Sequence, residues 1–176
     1  MKLKYNQLLS ITVLVTGIYL QNINAQITEG ENGLYYDGSG KLFSGIYTEK
    51  YDDGTVKTQM SVTNGRKNGL TVIFFPNGKK NELRMYKNNL LHGTWETWNQ
   101  QGQKTAEANY ANDKKNGKWY VWDDNGVMRY DMTYFEGEKA GTWSMWNSKG
   151  ELTGQKEYSL NPNVVIEIPP SSEDKP

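Results

Sequence analysis

Few residues of this sequence could carry out chemistry, because its 176 residues include one histidine, His92, and no cysteine. The absence of cysteine excludes disulfides, a thiol nucleophile and the lipid-bearing cysteine of a lipoprotein. A zinc site or a histidine-dependent triad would need a second histidine or a nucleophile motif such as G-x-S-x-G, and the sequence has neither. We therefore interpret His92 as a turn residue between two repeats and predict that the protein is not an enzyme.

Three short segments are similar to parts of known ligand loops. Gly38-Ser-Gly40-Lys41 is similar to the end of a phosphate-binding loop, but Tyr35 stands where the first glycine is required and Leu42 follows the lysine. Asp123-Asp-Asn-Gly126 and Asp52-Asp-Gly54 resemble fragments of calcium loops that lack the remaining ligands, including the closing glutamate. We expect the first segment to be a hairpin turn and the other two to be solvated turns, and we predict neither a metal nor a cofactor.

The tryptophans are the remaining candidates for recognition chemistry. They fall into two sets of three, Trp95, Trp119 and Trp143 and, three residues further on, Trp98, Trp122 and Trp146. If the strand that carries each pair is regular, the second set forms a row on the opposite face, with rings roughly 10 Å apart. That row suits an extended ligand, either a glycan or a peptide. Alternatively, a bulge turns both sets inward, where they form the core of a thin protein.

The tryptophans belong to a repeat of 24 residues that runs through most of the chain. One set of glycines lies at Gly45, Gly69, Gly93, Gly117 and Gly141, and a second set at Gly54, Gly78, Gly102, Gly126 and Gly150. A third place holds Tyr86, Tyr110, Tyr134 and Tyr158, with Val62 in the first unit. A fixed period of this length is typical of a repeat architecture in which every unit folds alike.

Each unit is expected to contain two strands, because the chain turns twice in every period. Pairs such as Asp53-Gly54 and Asn125-Gly126 suit tight hairpins at the middle of a unit, since they tolerate positive φ. Polar segments rich in glycine or asparagine, such as 64–69 and 112–117, turn the chain between units. The strands left over are roughly six to nine residues long, with no room for helices. The predicted fold is all-β: tandem β-hairpin repeats forming an elongated, twisted antiparallel single sheet of about ten strands.

Alternation of side chains supports these strands. In unit four, apolar residues alternate with polar ones from Met128 to Tyr134, so that one face is apolar. Unit two departs from this pattern, because Leu83 and Met85 lie on the face that is polar in the other units. We expect a bulge or a local change of register there.

Two stretches of the sequence carry the fullest form of the repeat. They are Gly93-Thr-Trp95-Glu-Thr-Trp98-Asn-Gln-Gln-Gly102 with Tyr110, and Gly117-Lys-Trp119-Tyr-Val-Trp122-Asp-Asp-Asn-Gly126 with Tyr134. This pattern resembles the MORN repeat, in the variant found in bacterial antitoxins of the YwqK type. The resemblance covers about residues 33 to 160, with a partial leading unit. It implies an elongated, twisted sheet that associates with proteins or lipids, and the antitoxin label implies neutralisation of a partner.

The two ends of the chain differ from the repeats. Residues 1–25 have a basic start, an apolar stretch from Leu8 to Leu20 and a small residue at Ala25, a pattern that predicts a cleaved signal peptide. Residues 26–44 form a leading segment with a partial repeat, and residues 45–160 hold five MORN-type hairpins. We expect residues 161–176 to supply a capping strand, Val164-Val-Ile-Glu-Ile168, followed by a polar tail.

Charge and composition narrow the range of partners. Lys+Arg 20 balance Asp+Glu 20, and removal of Lys2 and Lys4 with the signal peptide leaves 18 basic against 20 acidic side chains, a net charge of −2. This balance excludes the basic footprint of a nucleic-acid-binding protein. It also gives little attraction to anionic headgroups, although a lipid surface stays among the alternatives.

These observations favour a non-catalytic repeat module that mediates protein–protein interaction or scaffolding in the cell envelope. The signal peptide predicts an exported protein, whether periplasmic, on the outer surface or secreted. The first alternative is binding of glycan, peptidoglycan or a membrane surface through an aromatic row on the sheet. The second alternative is an inhibitor of the antitoxin or immunity type. The candidate binding row is Trp98, Trp122 and Trp146.

Overall fold

The computed structural model describes residues 27–159, and its main feature is one antiparallel sheet of ten strands. Its strands are β3 (Gly45–Lys50), β4 (Val56–Thr63), β5 (Arg66–Phe74), β6 (Lys80–Lys87), β7 (Leu90–Trp98), β8 (Lys104–Ala111), β9 (Lys114–Trp122), β10 (Met128–Phe135), β11 (Glu138–Trp146) and β12 (Leu152–Tyr158). A small separate sheet pairs β1 (Thr28–Glu29) with β2 (Tyr35–Tyr36). The predicted signal peptide and C-terminal capping strand lie outside the described residues.

Each strand of the large sheet pairs with the next strand in the chain, so the sheet order follows the sequence order without a crossover. The predicted all-β sheet of tandem hairpins with a period of 24 residues is therefore confirmed. No helix within residues 27–159 is long and apolar enough to cross a membrane.

The turns between units contain two residues, both with positive φ. They are Asn64-Gly65, Asn88-Asn89, Asn112-Asp113 and Glu136-Gly137, with φ between 46° and 96°. Two successive residues in this conformation form a type I′ turn, whose twist matches that of the strands it joins. The sequence explains the choice, because asparagine, aspartate and glycine tolerate positive φ better than most residues.

The turns inside the units are longer than the tight hairpins expected from their Asp-Gly and Asn-Gly pairs. In the first unit, the Gly54 N–H donates to the Tyr51 carbonyl at 2.9 Å and the Tyr51 N–H donates to the Thr55 carbonyl at 2.8 Å. Only the glycine of the pair has positive φ, at 85° for Gly54. This geometry is a type I turn followed by a glycine in the left-handed region.

A β-bulge follows each of these inner turns and lies on the second strand of the hairpin. In unit three, Thr97 pairs with Ala106 and Trp98 pairs with Lys104, so Thr105 is the extra residue. Unit two has the same shift between Ile73 and Phe74, so the bulge expected there is present, and the other units have one as well. Because the first strand of the hairpin keeps its alternation, successive residues from Trp95 to Trp98 point to alternate faces.

A compact core exists at the N-terminal end of the sheet. Tyr35, Met60 and Val62 are buried there, and Phe43 and Tyr47 pack against them. Backbone hydrogen bonds hold the leading segment in place, since the Tyr35 N–H donates to the Gly65 carbonyl at 2.8 Å. Elsewhere the described part of the chain is a single layer, and none of its large side chains is fully buried. Its stability therefore depends on contacts between neighbouring strands.

The type I′ turns make a testable contribution to stability. Asp113 has a φ of 65°, and its carboxylate accepts a hydrogen bond from the Leu91 N–H at 2.6 Å. Asp113→Ala removes this acceptor. It also puts alanine, which tolerates positive φ less well than aspartate, in the left-handed region. We expect a loss of about 1–2 kcal/mol in the free energy of unfolding, measured by urea denaturation.

Asp113→Gly is the matched control, because it removes the same acceptor but relieves the backbone. Gly137 already holds the equivalent place one unit later. We expect the glycine variant to be more stable than the alanine variant by about 1 kcal/mol. Equal stability of the two variants would show that backbone strain is not the reason for the residue type at this turn.

Candidate binding surfaces of the sheet

The first tryptophan and the third-place tyrosine of successive units form one continuous row of rings in tilted contact. The row runs through Trp95, Tyr110, Trp119, Tyr134, Trp143 and Tyr158, with distances between ring centroids of 5.8, 5.2, 5.2, 5.1 and 4.8 Å. Aromatic pairs at such distances and tilts stabilise each other beyond the area that they bury. We call this row the aromatic ladder and its side of the sheet the ladder face.

The first glycine of each unit has a positive φ and lies close to a neighbouring side chain. Gly93 pairs with Tyr110 across the hairpin and has a φ of 103°. A Cβ on Gly93 would lie 3.1 Å from the Cβ of Met85 on the preceding strand. The repeated glycine is therefore required by backbone conformation and by close approach of a neighbouring side chain.

Lysines two residues before this glycine lie against the ladder. The Lys115 Nζ is 4.3 Å from the Trp119 ring centroid and 4.6 Å from that of Tyr134. Lys139 repeats this arrangement at 4.7 Å from Trp143 and 5.2 Å from Tyr158. These are cation–π contacts, which hold the ammonium groups on the aromatic surface.

The C-terminal part of the ladder face carries positive charge. From β7 to β12, the cross-strand pairs place Lys115, Lys139 and Lys156 on this face and no acidic residue beside them. The acidic residues of these strands lie on the opposite face instead, at Glu96, Glu107, Asp131, Glu138 and Glu157. Since cross-strand partners share a face, the lysines of the ladder face have no acidic neighbours, whereas the opposite face carries both charges, as in the Lys118–Asp131 ion pair.

The tyrosines of the ladder do not offset this charge. Burial raises the pKa of Tyr110 and of Tyr134 above the usual value for a phenol. Both hydroxyls therefore stay neutral at physiological pH, and the charge of the C-terminal ladder face comes from its lysines.

The predicted binding row lies on the side of the sheet away from the ladder. Trp98 lies beneath Lys80 at 4.6 Å and near Lys104 at 6.0 Å, and the Trp122 ring is 5.7 Å from that of Tyr120. Trp146 follows the same alternation along β11. All six tryptophans are half-buried. The two sets of tryptophans therefore lie on opposite faces of the sheet, and they are not both turned inward. The use of Trp98, Trp122 and Trp146 as a binding site stays a prediction.

The ladder is interrupted in unit two. Thr71 stands where the corresponding residues of the other units are Tyr47, Trp95, Trp119 and Trp143. A pocket of about 360 Å³ opens at this place, lined by residues that include Tyr35, Tyr47, Lys67, Arg84 and Tyr86. This pocket was not predicted from the sequence, although its signal is there: Thr71 is the single non-aromatic residue two positions after a first glycine.

The motif fragments have structural roles. The Asp37 carboxylate accepts hydrogen bonds from the backbone N–H groups of Ser39 and Lys41, which shape the turn that contains Gly38 and Gly40. The Asp123 carboxylate likewise accepts from the N–H groups of Asn125 and Val127, both at 3.0 Å. Within residues 27–159 no three metal-ligating side chains come together.

His92 lies within β7, so its placement in a turn was wrong. Its Nδ1 is 3.3 Å from the Asn112 Oδ1 on the neighbouring turn. This contact gives the imidazole a structural partner and brings no nucleophile to it.

A comparison with protein families finds a match for the central repeats. The family model described as "MORN repeat variant" matches residues 67–88, 91–112 and 115–136, three segments that begin 24 residues apart. Each segment covers one hairpin, from β5 to β6, from β7 to β8 and from β9 to β10. No curated protein matches the chain. MORN repeats are generally non-catalytic modules that bind proteins or membranes, and the three central hairpins of this sheet are similar to MORN repeats of the variant type.

Proposed function

We propose that this protein is an exported, non-catalytic module of the cell envelope that binds a protein partner on its ladder face. The observation that carries the proposal is the aromatic surface from β7 to β12, which bears three lysines and no acidic residue. No described segment lies over this surface. The signal-peptide pattern of residues 1–25 supports the location.

The size of this surface suits a specific protein interface. Six strands at about 4.8 Å spacing and about 25 Å in length give an area on the order of 700 Å². A stable complex of standard size buries about 800 Å² on each partner. Aromatic side chains are also enriched among the residues that contribute most to binding energy.

The charge of the surface indicates the chemistry of the partner. Tyr130 and Met145 are cross-strand partners, 42% and 39% exposed, on the same face as the three lysines. A complementary segment would therefore offer apolar side chains together with carboxylates. Either a scaffold or an inhibitor that neutralises its target would use such a surface.

The test is to crosslink the tagged mature protein in its native envelope and to identify what is recovered by mass spectrometry. We expect one protein at near-stoichiometric yield, retained when the salt concentration of the wash is raised moderately. Recovery of cell-wall fragments or lipid alone would contradict a protein partner. The yield of each protein from an untagged strain is the background, and it is subtracted.

A glycan is the second candidate ligand, because the second tryptophan of three repeats lies on the face away from the ladder at two-strand intervals. In this case cell-wall oligosaccharides would quench tryptophan emission, and the loss of Trp98, Trp122 and Trp146 would abolish the quenching. Absence of quenching in the unmodified protein would exclude this candidate.

A further inference from the structure

We propose that the interruption of the ladder at Thr71 is a binding pocket for a planar aromatic ring that carries one carboxylate. The pocket lies among β3 to β6 and the leading strands β1 and β2, whereas the surface proposed above for the protein partner extends from β7 to β12. The two proposals therefore rest on different parts of the sheet.

The shape of the pocket follows from the repeat. In the other units a tyrosine or tryptophan fills this position, and from Trp95 onwards these rings stack on their neighbours. Threonine leaves the space of a ring open, between Tyr47 on one side and Tyr86 on the other. A volume of about 360 Å³ is at the lower end of the range for small-ligand sites. A ring in this space would restore the stacking that the chain itself omits.

The polar groups of the pocket specify a substituent on the ring. Lys67 lies 5.8 Å from the Tyr35 centroid and 5.7 Å from that of Tyr86, and it forms no ion pair within the described residues. By contrast, Arg84 is paired with Glu82 and Glu49 is paired with Lys57. Lys67 is therefore the cation available to a carboxylate.

Thr71 adds a hydrogen-bonding group to the floor. Its side chain is 6% exposed, and its Oγ1 has no hydrogen-bond partner within the described residues. A buried hydroxyl without a partner is unfavourable, and a bound ligand would satisfy it. The next ring along the ladder also departs from the pattern, because the Trp95 indole N–H lacks the carbonyl partner that Trp119 and Trp143 have.

The acidic side of the pocket limits the ligand to one negative charge. Glu29 and Glu49 line this side, and Glu29 accepts a hydrogen bond from the Tyr35 hydroxyl at 2.9 Å. A second carboxylate would be repelled there, whereas a phenolic hydroxyl would donate a hydrogen bond. The chemistry that fits is a hydroxyphenyl or similar ring with a single carboxylate.

The test uses 4-hydroxyphenylacetate and its neutral amide as probes, with binding to the mature full chain measured by equilibrium dialysis. We expect millimolar binding of the acid and at least about tenfold weaker binding of the amide, as loss of one charged hydrogen bond implies. Lys67→Gln should weaken binding of the acid by a similar factor. Lys115→Gln, at the equivalent place two units later, should leave it unchanged.

Two substitutions of Thr71 distinguish loss of the space in the pocket from loss of the folded structure. Thr71→Trp should fill the gap, abolish probe binding and raise the melting temperature, because three other units hold tryptophan at this position. Thr71→Val keeps the gap and should retain ring binding with a modest loss. The proposal is overturned if the acid does not bind the unmodified protein at about 20 mM, or if Thr71→Trp and Lys67→Gln both bind it normally.

The ring could belong to a free molecule or to a side chain of the partner, and envelope crosslinking of Thr71→Trp distinguishes the two. Loss of both probe and partner assigns the ring to the partner. Loss of the probe with an unchanged yield of partner assigns it to a small molecule. If the unmodified protein recovers no partner, the proposed function fails while the probe experiment still decides the pocket.

Discussion

Replacing Trp119 by alanine is expected to lower the free energy of unfolding by about 3 kcal/mol. The indole stacks between Tyr110 and Tyr134, with both centroids at 5.2 Å, and its Nε1 donates to the Asn109 carbonyl at 3.0 Å. The substitution therefore removes two aromatic contacts, one hydrogen bond and the ring beneath Lys115. In a single-layer sheet no second layer can fill the space that is left.

Trp122→Ala on the same strand is the matched control for this prediction. Trp122 has one close ring neighbour, Tyr120, on the opposite face. We expect its replacement to cost about 1 kcal/mol, and chemical denaturation of both variants measures the difference. Equal losses for the two tryptophans would mean that the ladder does not stabilise the sheet more than the opposite face does.

Replacing Lys115, Lys139 and Lys156 together by glutamine is expected to weaken binding of the envelope partner by about 10- to 100-fold. The three ammonium groups lie on or beside the ladder rings, where a carboxylate of the partner would be partly shielded from water. Each charged contact at such a surface contributes roughly 0.5–1 kcal/mol. The variant should also lose most of the salt dependence of binding, which titration calorimetry at two ionic strengths can measure.

The control removes the same charge from the other face. Lys80, Lys104 and Lys118 lie there, beside Trp98 or opposite Asp131. Their joint replacement by glutamine should leave partner binding within about twofold, because net charge alone steers association only weakly at physiological salt. If this control loses more partner binding than the ladder-face variant does, the partner binds the face opposite the ladder.

Much of the fold follows from the spacing of glycines. Two glycines in every 24 residues fix two turns, and the residues between them have the length of strands. Hairpins of this kind bring sequential strands together, so the order of all ten strands could be predicted without knowledge of tertiary contacts. The recurrence of aromatic residues in the same places predicted rows of rings for the same reason.

The contacts within and between the rows could not be predicted. Trp95 and Tyr110 become neighbours because Gly93 faces Tyr110 across the hairpin, and this offset depends on the bulge at Thr105. A bulge adds one residue to one strand, and nothing in the length of a unit says which strand carries it. Whether Trp95 and Trp98 point to the same face or to opposite faces of the sheet could therefore not be predicted without the register.

The pocket at Thr71 depends on a residue that breaks the pattern. The repeat directs attention to the positions that recur, whereas here the threonine differs from the four aromatic residues at the equivalent places. The pocket also depends on the leading segment, because Tyr35 lines it and is held in place by a backbone hydrogen bond to Gly65. Such a long-range contact has no signature in the local sequence.

The most direct test of the ladder face as the binding surface is site-specific photo-crosslinking in the native envelope. p-Benzoylphenylalanine replaces Tyr130, 42% exposed on the ladder face, or Tyr120, which lies beside it on the opposite face. We predict a single protein adduct from position 130 and none from position 120. An adduct from position 120 alone, or none at either position, would contradict binding of a protein partner on the ladder face.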